Sequence, residues 1–320
     1  ATASKTGPAT NILMGFAMSL ESTAVPIIVF SAAVMLAFSF DGLYGIALVA
    51  VGFLSITATF IAMSSYGPIV DNARGMIEMA DSGSEEQKVM DELDSVGNVT
   101  KAVCKVYAIG TSALAQVALF TAYIHEAQLQ TIDVMNPAVV TGMLIGGMLS
   151  FIFCSLIIKA VGKAAYSMIR EVRKQFSENF GLNNGEIKPN YARCVDISTR
   201  AAIRGMMIPA LLSVATPLGV GLLLGREALG GLIVGNLVTM LPLALIMSIG
   251  GAAWDNAKKF IEAGNLGGKG TPTHAAAIIG DTVGDSLKDA AGPSLDVFIN
   301  LIGTVALLYA ASLATYSFLA

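Results

Sequence analysis

Seven apolar stretches run along this chain, and each reads as a helix that is polar at one end only. They fall at roughly 10–39, 43–79, 87–124, 137–178, 190–224, 227–264 and 273–319. Crossing the hydrocarbon core of a bilayer takes about 20 helical residues, and several of these stretches are longer. The surplus is charged and sits at 64–81, 86–105, 159–178, 188–204, 254–264 and 274–289. The predicted fold class is therefore all-α: a polytopic membrane protein of seven long transmembrane helices whose extensions project on one side. Residues 1–320 are expected to form a single membrane domain. Composition agrees, with 13% charged residues and a mean hydropathy of +0.69, where soluble proteins carry about 25% charge.

Basic residues set the expected orientation. Alternating seven spans places the N-terminus, the 80–86 turn, the 179–189 loop and the 265–272 loop on one side. Of the 19 Lys and Arg, 18 fall there or in the helix ends leading there, and only Arg226 lies opposite. Positive charge marks the cytoplasmic side, so the N-terminus is expected inside and the C-terminus outside or in a lumen. Gly142-xxx-Gly146 and Gly231-xxx-Gly235 suit close helix packing in lipid. Cys104, Cys154 and Cys194 are scattered, which disfavours a disulfide framework or a zinc site. No signal peptide is visible, and the chain lacks a starting Met, as a processed chain or a fragment would.

Charged clusters converge on the predicted cytoplasmic face. In residues 274–296, Asp281, Asp285 and Asp289 recur at i+4 steps with Lys288 among them. On an uninterrupted α-helix they would stack on one face, where like charges repel unless a cation intervenes. Oxygen-only ligands favour Mg²⁺. A second cluster is Trp254-DNAKKFI-Glu262, with Asp255, Lys258 and Lys259. A third is Tyr66-GPIVDNARG-Met76, with Asp71, followed by Glu78 and Asp81. A fourth is Gly97-NVTKAVCK-Val106, with Asn98, Lys101 and Lys105. Carboxylates that hold Mg²⁺ beside lysines that hold an anion make a phosphate site. The bland alternative is a set of solvated helix ends whose charges snorkel to the interface. No Walker A motif is present, and nothing suggests a nucleic-acid partner.

The strings KTGPATNI (5–12), YGPIVDNARGMIEMA (66–80), GNVTKA (97–102), EVRKQF (171–176), GGAAWDNAKKFIEAG (250–264) and GDTVGDSLKDAAGPSL (280–295) resemble the membrane-integral pyrophosphatases. That family couples hydrolysis of inorganic pyrophosphate to pumping of H⁺ or Na⁺ with about sixteen helices, of which this chain resembles the last seven. The resemblance implies about half an active site, completed by an N-terminal half carried on a separate chain or removed. It also implies Mg²⁺ as cofactor, a homodimer in a lipid bilayer, and the following roles. Asp71, Asn98, Asp255, Asp281 and Asp285 match Mg²⁺-binding positions. Lys258, Lys259 and Lys288 match pyrophosphate-binding lysines, and Asp289 one of two aspartates that hold the nucleophilic water. Lys101 matches the lysine of potassium-independent members, whose ammonium stands in for K⁺.

The chain departs from the family pattern at Arg74 (Gly in the family), Cys104 (Gly or Thr), Ala275 (Lys), Ser286 (Pro) and Asn300 (a lysine paired with the ion-gate acids). Asn300 bears on pumping more than on hydrolysis. Glu21 is a candidate for the ion path or a carboxylate bonded to a neighbouring helix. The competing readings are a non-pumping homologue that binds phosphate or pyrophosphate and a secondary transporter. Transporters place their polar sites near the midplane, unlike the clusters here.

Overall fold

The computed structural model describes residues 1–79, 84–182 and 184–315. Among these the chain is helical, without strands. The elements are α1 (Pro8–Glu21), α2 (Ala24–Ser55), α3 (Thr57–Met79), α4 (Ser84–Glu126), α5 (Pro137–Glu178), α6 (Tyr191–Glu262), α7 (Pro272–Asp285), a π-helical turn (Ser286–Ala291) and α8 (Gly292–Thr315). Asp81, the Glu78 side chain and the expected end of the last helix at 319 lie outside the described residues.

By length and apolarity, five helical runs can cross a membrane: Pro8–Ser55, Glu85–Glu126, Pro137–Glu178, Tyr191–Glu262 and Pro272–Leu313. The expected count was seven. Part of the difference lies in two reversals that occupy almost no chain; in addition the expected helices 10–39 and 43–79 are broken at Ser22–Thr23 and at Ile56, and α3 beyond the second break is not among the five. In α2, Asp41 and Gly42 leave helical geometry, and Gly45 returns beside the Ala37 carbonyl. In α6, Gly225 takes φ 88° and ψ 173°, a conformation that only glycine adopts without strain. Contacts with α5 show the turn. Asn190 N–H donates to Gln175 Oε1 at 2.8 Å and Gly205 lies against Ala160, so the first half of α6 runs antiparallel to α5. Gly231 and Gly235 lie against Val139 and Met143, so the second half runs parallel to it. Both halves of α6 therefore pack on α5.

The small-residue patterns do what lipid packing requires. A methyl at Gly142 would sit 1.9 Å from the Ala228 carbonyl oxygen, and one at Gly231 would sit 2.2 Å from that of Val139. Helices held this closely gain dispersion contacts that Leu-on-lipid packing cannot supply. The core joins Leu149 and Phe153 of α5, Leu229, Leu232 and Met240 of α6, and Phe298 and Ile302 of α8. Phe153 and Phe298 stack at 4.0 Å. This core fixes the second half of α6 beside α8, which sets the depth of every charged group described next.

Candidate active site

The site forms where the second half of α6, α7 and α4 end together. Asp255 of α6 and Asp281 of α7 are buried, at 3% and 5% exposure, and Asp285 is open. One carboxylate oxygen from each of the three lies within 4.8 Å of the others. Lysines are interleaved with them. Lys258 bonds Asp281 and lies 3.6 Å from Asp255. Lys288, itself buried, lies 2.6 Å from Asp255 and 3.2 Å from Asp285. Asp255 Oδ1 and Asp281 Oδ1 are buried without a hydrogen-bond partner. Such an atom costs about 1–3 kcal/mol; the nearest cations to Asp255 Oδ1, Lys258 and Lys259, stand beyond hydrogen-bond distance at 3.6 and 3.9 Å. An all-oxygen donor set with unsatisfied buried acceptors fits Mg²⁺.

The carboxylate ladder is not a continuous α-helical stripe. After Asp285 the chain takes a π turn over Ser286–Ala291, and the wider turn rotates Asp289 away from Asp281 and Asp285. Asp289 therefore stands outside the trio. Lys105 of α4 holds it at 2.6 Å and also donates to the Lys288 carbonyl at 2.7 Å, and the Lys288 ammonium lies 3.7 Å from Asp289. The turn is seated against α6 at Gly251, where a methyl would lie 2.3 Å from Lys288 Cβ.

The remaining expected residues divide into those joined to this centre and those apart from it. Asn98 is buried on α4 and donates to Asn256 Oδ1 at 2.7 Å, next to Asp255 in the chain. Lys259 faces the centre at 3.9 Å from Asp255, but its nearer partner is Asp94, at 2.7 Å. Lys101 is buried, its stem against Gly67, and lies 3.3 Å from Asp71. Asp71 is half exposed and reaches Lys101 rather than the trio. Glu21 is exposed at the end of α1 and joins none of these groups.

Asp94 is the main residue that sequence reasoning missed. It is 1% exposed, and its signal was the spacing Asp91, Asp94, Asn98, Lys101, Lys105, a 3–4 repeat along one face of α4. Arg74, where the family has Gly, reaches Asp91 at 2.5 Å, Glu262 at 3.3 Å and Asp94 at 3.9 Å. Burial alone would lower its pKa, but the bond to Asp91 and the charges of Asp91, Glu262 and Asp94 outweigh it and raise it. Arg74, Asp94, Asn256 and Lys259 line a cleft of about 330 Å³.

Below the π turn the polar line enters the membrane. Asp296 lies two turns beyond Asp289 on the chain and faces Ser112 of α4. Asn300 donates to the same Ser112 at 2.8 Å. Lys105, Ser112, Ser248 and Asp296 share the wall of a cavity of about 420 Å³. Asp296 Oδ1 and Asn300 Oδ1 are buried without partners.

With this geometry described, comparison with known proteins gives a consistent answer. Residues 1–309 match the family described as inorganic H⁺ pyrophosphatase. This chain belongs to that family. It is 49% identical, over 97% of its length, to a protein of Methanosarcina mazei named a K(+)-insensitive pyrophosphate-energized proton pump. A protein of Caldanaerobacter subterraneus with the same name is 47% identical over 97% of this chain. A Clostridium tetani relative, 47% identical over 98%, is provisionally named a K(+)-stimulated pyrophosphate-energized sodium pump. The chain spans about half the length of these curated relatives, 48%, 46% and 48% respectively. It is thus an integral membrane member of the inorganic H⁺ pyrophosphatase family that crosses the bilayer several times.

Proposed function

We propose that this chain supplies part of the site of a membrane pump that hydrolyses pyrophosphate and moves H⁺ across the bilayer. One observation carries the reading. Asp281, Asp285 and Lys288 of the carboxylate–lysine centre, Asp289 and the pair Asp296–Asn300 all lie on one continuous run, α7 through α8, so chemistry at one end bears mechanically on the other. The names of the relatives support it, and K⁺-independence follows the two proton-pump relatives and Lys101.

In this reading Asp255, Asp281 and Asp285, with Asn98, would hold Mg²⁺, which would neutralise charge on the phosphate oxygens. Asp71 serves a metal position once residues outside this chain complete the site. Lys258, Lys259 and Lys288 exchange their carboxylate partners for pyrophosphate oxygens. Asp289 orients the attacking water and takes its proton, while Lys105 fixes that carboxylate's direction. The water oxygen bonds to one phosphorus, the bridging P–O bond breaks, and two phosphates leave. The proton on Asp289 lies two helical turns, roughly 10 Å, from Asp296. Asp296 and Ser112 offer the next acceptors along the cavity wall. The catalytic face is cytoplasmic, following the placement of the basic residues.

Asn300 favours a second reading, in which hydrolysis proceeds without pumping, because an amide bonded to Ser112 replaces a membrane cation. The test is pyrophosphate-driven acidification of vesicles that carry this chain with the complementary half of the pump, followed with a pH-sensitive dye. The proposal expects acidification that an uncoupler abolishes and that needs no Na⁺. Hydrolysis without acidification supports the second reading.

A further inference from the structure

We propose that the seam between the basic edges of α5 and α6, at the level of Lys159, Lys163 and Arg204 and at the same end of the bundle as the carboxylate centre, seats anionic phospholipid headgroups. Lys159, Lys163, Arg170, Arg173 and Lys174 follow one another along α5 at spacings that confine them to an arc of roughly 100°. All five are exposed. Arg193, Arg200 and Arg204 repeat the arrangement on α6 at spacings of 7 and 4, on one face. The two edges meet: Arg170, Arg173, Lys174 and Arg193 line one groove of about 640 Å³, with the hydroxyls of Ser167 and Ser177.

Internal pairing leaves much of this charge uncompensated. Asp196 takes Arg200 at 2.5 Å and Arg193 at 3.3 Å, Glu171 in the groove wall lies 3.9 Å from Arg193, and Lys174 lies 3.9 Å from Glu178. Lys159, Lys163, Arg170, Arg173 and Arg204 have no ion pair among the described residues. Depth identifies the occupant. Lys159 and Lys163 directly follow the apolar stretch of α5, and the contact of Gly205 with Ala160 brings Arg204 to the same level. Long cationic side chains at that level extend to the headgroups, and exposed Tyr166 on the same face of α5 suits the interface. An anionic leaflet attracts such a cluster. None of these basic residues belongs to the candidate site, although α5 also packs on the π turn. The inference does not depend on the chemistry proposed above.

The membrane protein carrying this chain is purified in detergent and titrated with phosphatidylglycerol or phosphatidylcholine, and retained lipid is counted by native mass spectrometry. Phosphatidylglycerol is expected to be preferred by about tenfold, with the preference falling as salt rises. Combining Lys159→Gln, Lys163→Gln and Arg204→Gln should bring the two lipids to parity, while Lys88→Gln, exposed on α4 away from this seam, should leave the preference intact. Should the triple variant not fold, Lys163→Gln alone should reduce the preference by about threefold. Equal retention by the unaltered protein, an undiminished preference in the variants, or displacement of the lipid by free glycerol 3-phosphate would overturn the proposal. The last result would mark a site for soluble phosphate anions.

Discussion

Asp289 differs from its neighbours in what touches it. Asp281 and Asp285 lie with Asp255 and its lysines, while Asp289 is bonded to Lys105 and meets Lys288 only at 3.7 Å. Its loss should therefore remove chemistry rather than binding. In the assembled enzyme, Asp289→Asn should lower turnover by roughly 10²–10⁴-fold, the usual value of a positioned general base, yet retain a Mg²⁺–diphosphonate analogue. Asp281→Asn and Asp285→Asn should weaken that analogue, and added Mg²⁺ should partly rescue them. Calorimetry separates the two patterns, and the reverse assignment would show Asp289 to be a metal holder. Lys101 invites a second substitution. Its ammonium is buried and fixed near Asp71, so hydrolysis should proceed in K⁺-free buffer, and Lys101→Ala should create a K⁺ requirement. A large K⁺ stimulation of the unaltered enzyme would refute that role.

At the scale of elements, the π turn decides the site's geometry. It depends on Gly251, because the neighbouring backbone leaves no room for a side chain. Gly251→Ala should cost about 1–3 kcal/mol, as overpacking does, and should weaken diphosphonate binding by displacing Lys288. Gly52→Ala, which faces open space, should change neither thermal unfolding nor binding. The turn itself was not legible in the sequence. Helical periodicity predicted a straight stripe through Asp281, Asp285 and Asp289, and a one-residue widening leaves no trace in a spacing of four. What periodicity did reveal was each long apolar run and the breaks at 40–42 and 224–227, because Asp-Gly and Gly-Arg interrupt hydrophobic stretches there. Pairing between helices stayed hidden. Nothing in α6 announces that Lys259 meets Asp94, or in α8 that Asn300 and Asp296 share Ser112, since such contacts depend on rotation and depth. The resemblance supplied most of the candidate residues; the structure supplied which of them face one another.

At the scale of the whole molecule, the centre is lopsided. Asp255, Asp281 and Lys288 are enclosed by α4, α6 and α7, whereas Asp71, Asp285 and Asp289 open outward, about half exposed. Exclusion of water strengthens each charge in a closed site, and the proposed function expects these three carboxylates to be covered. The chain also spans only about half the length of its relatives. Residues from beyond this chain should therefore close the centre. The most direct test is Mg²⁺-dependent pyrophosphate hydrolysis by this chain in membranes, measured alone and then with the complementary half. The account predicts no turnover alone, and turnover on completion that Asp289→Asn abolishes. Robust hydrolysis by this chain alone, or activity in the completed enzyme that survives Asp289→Asn, would contradict it.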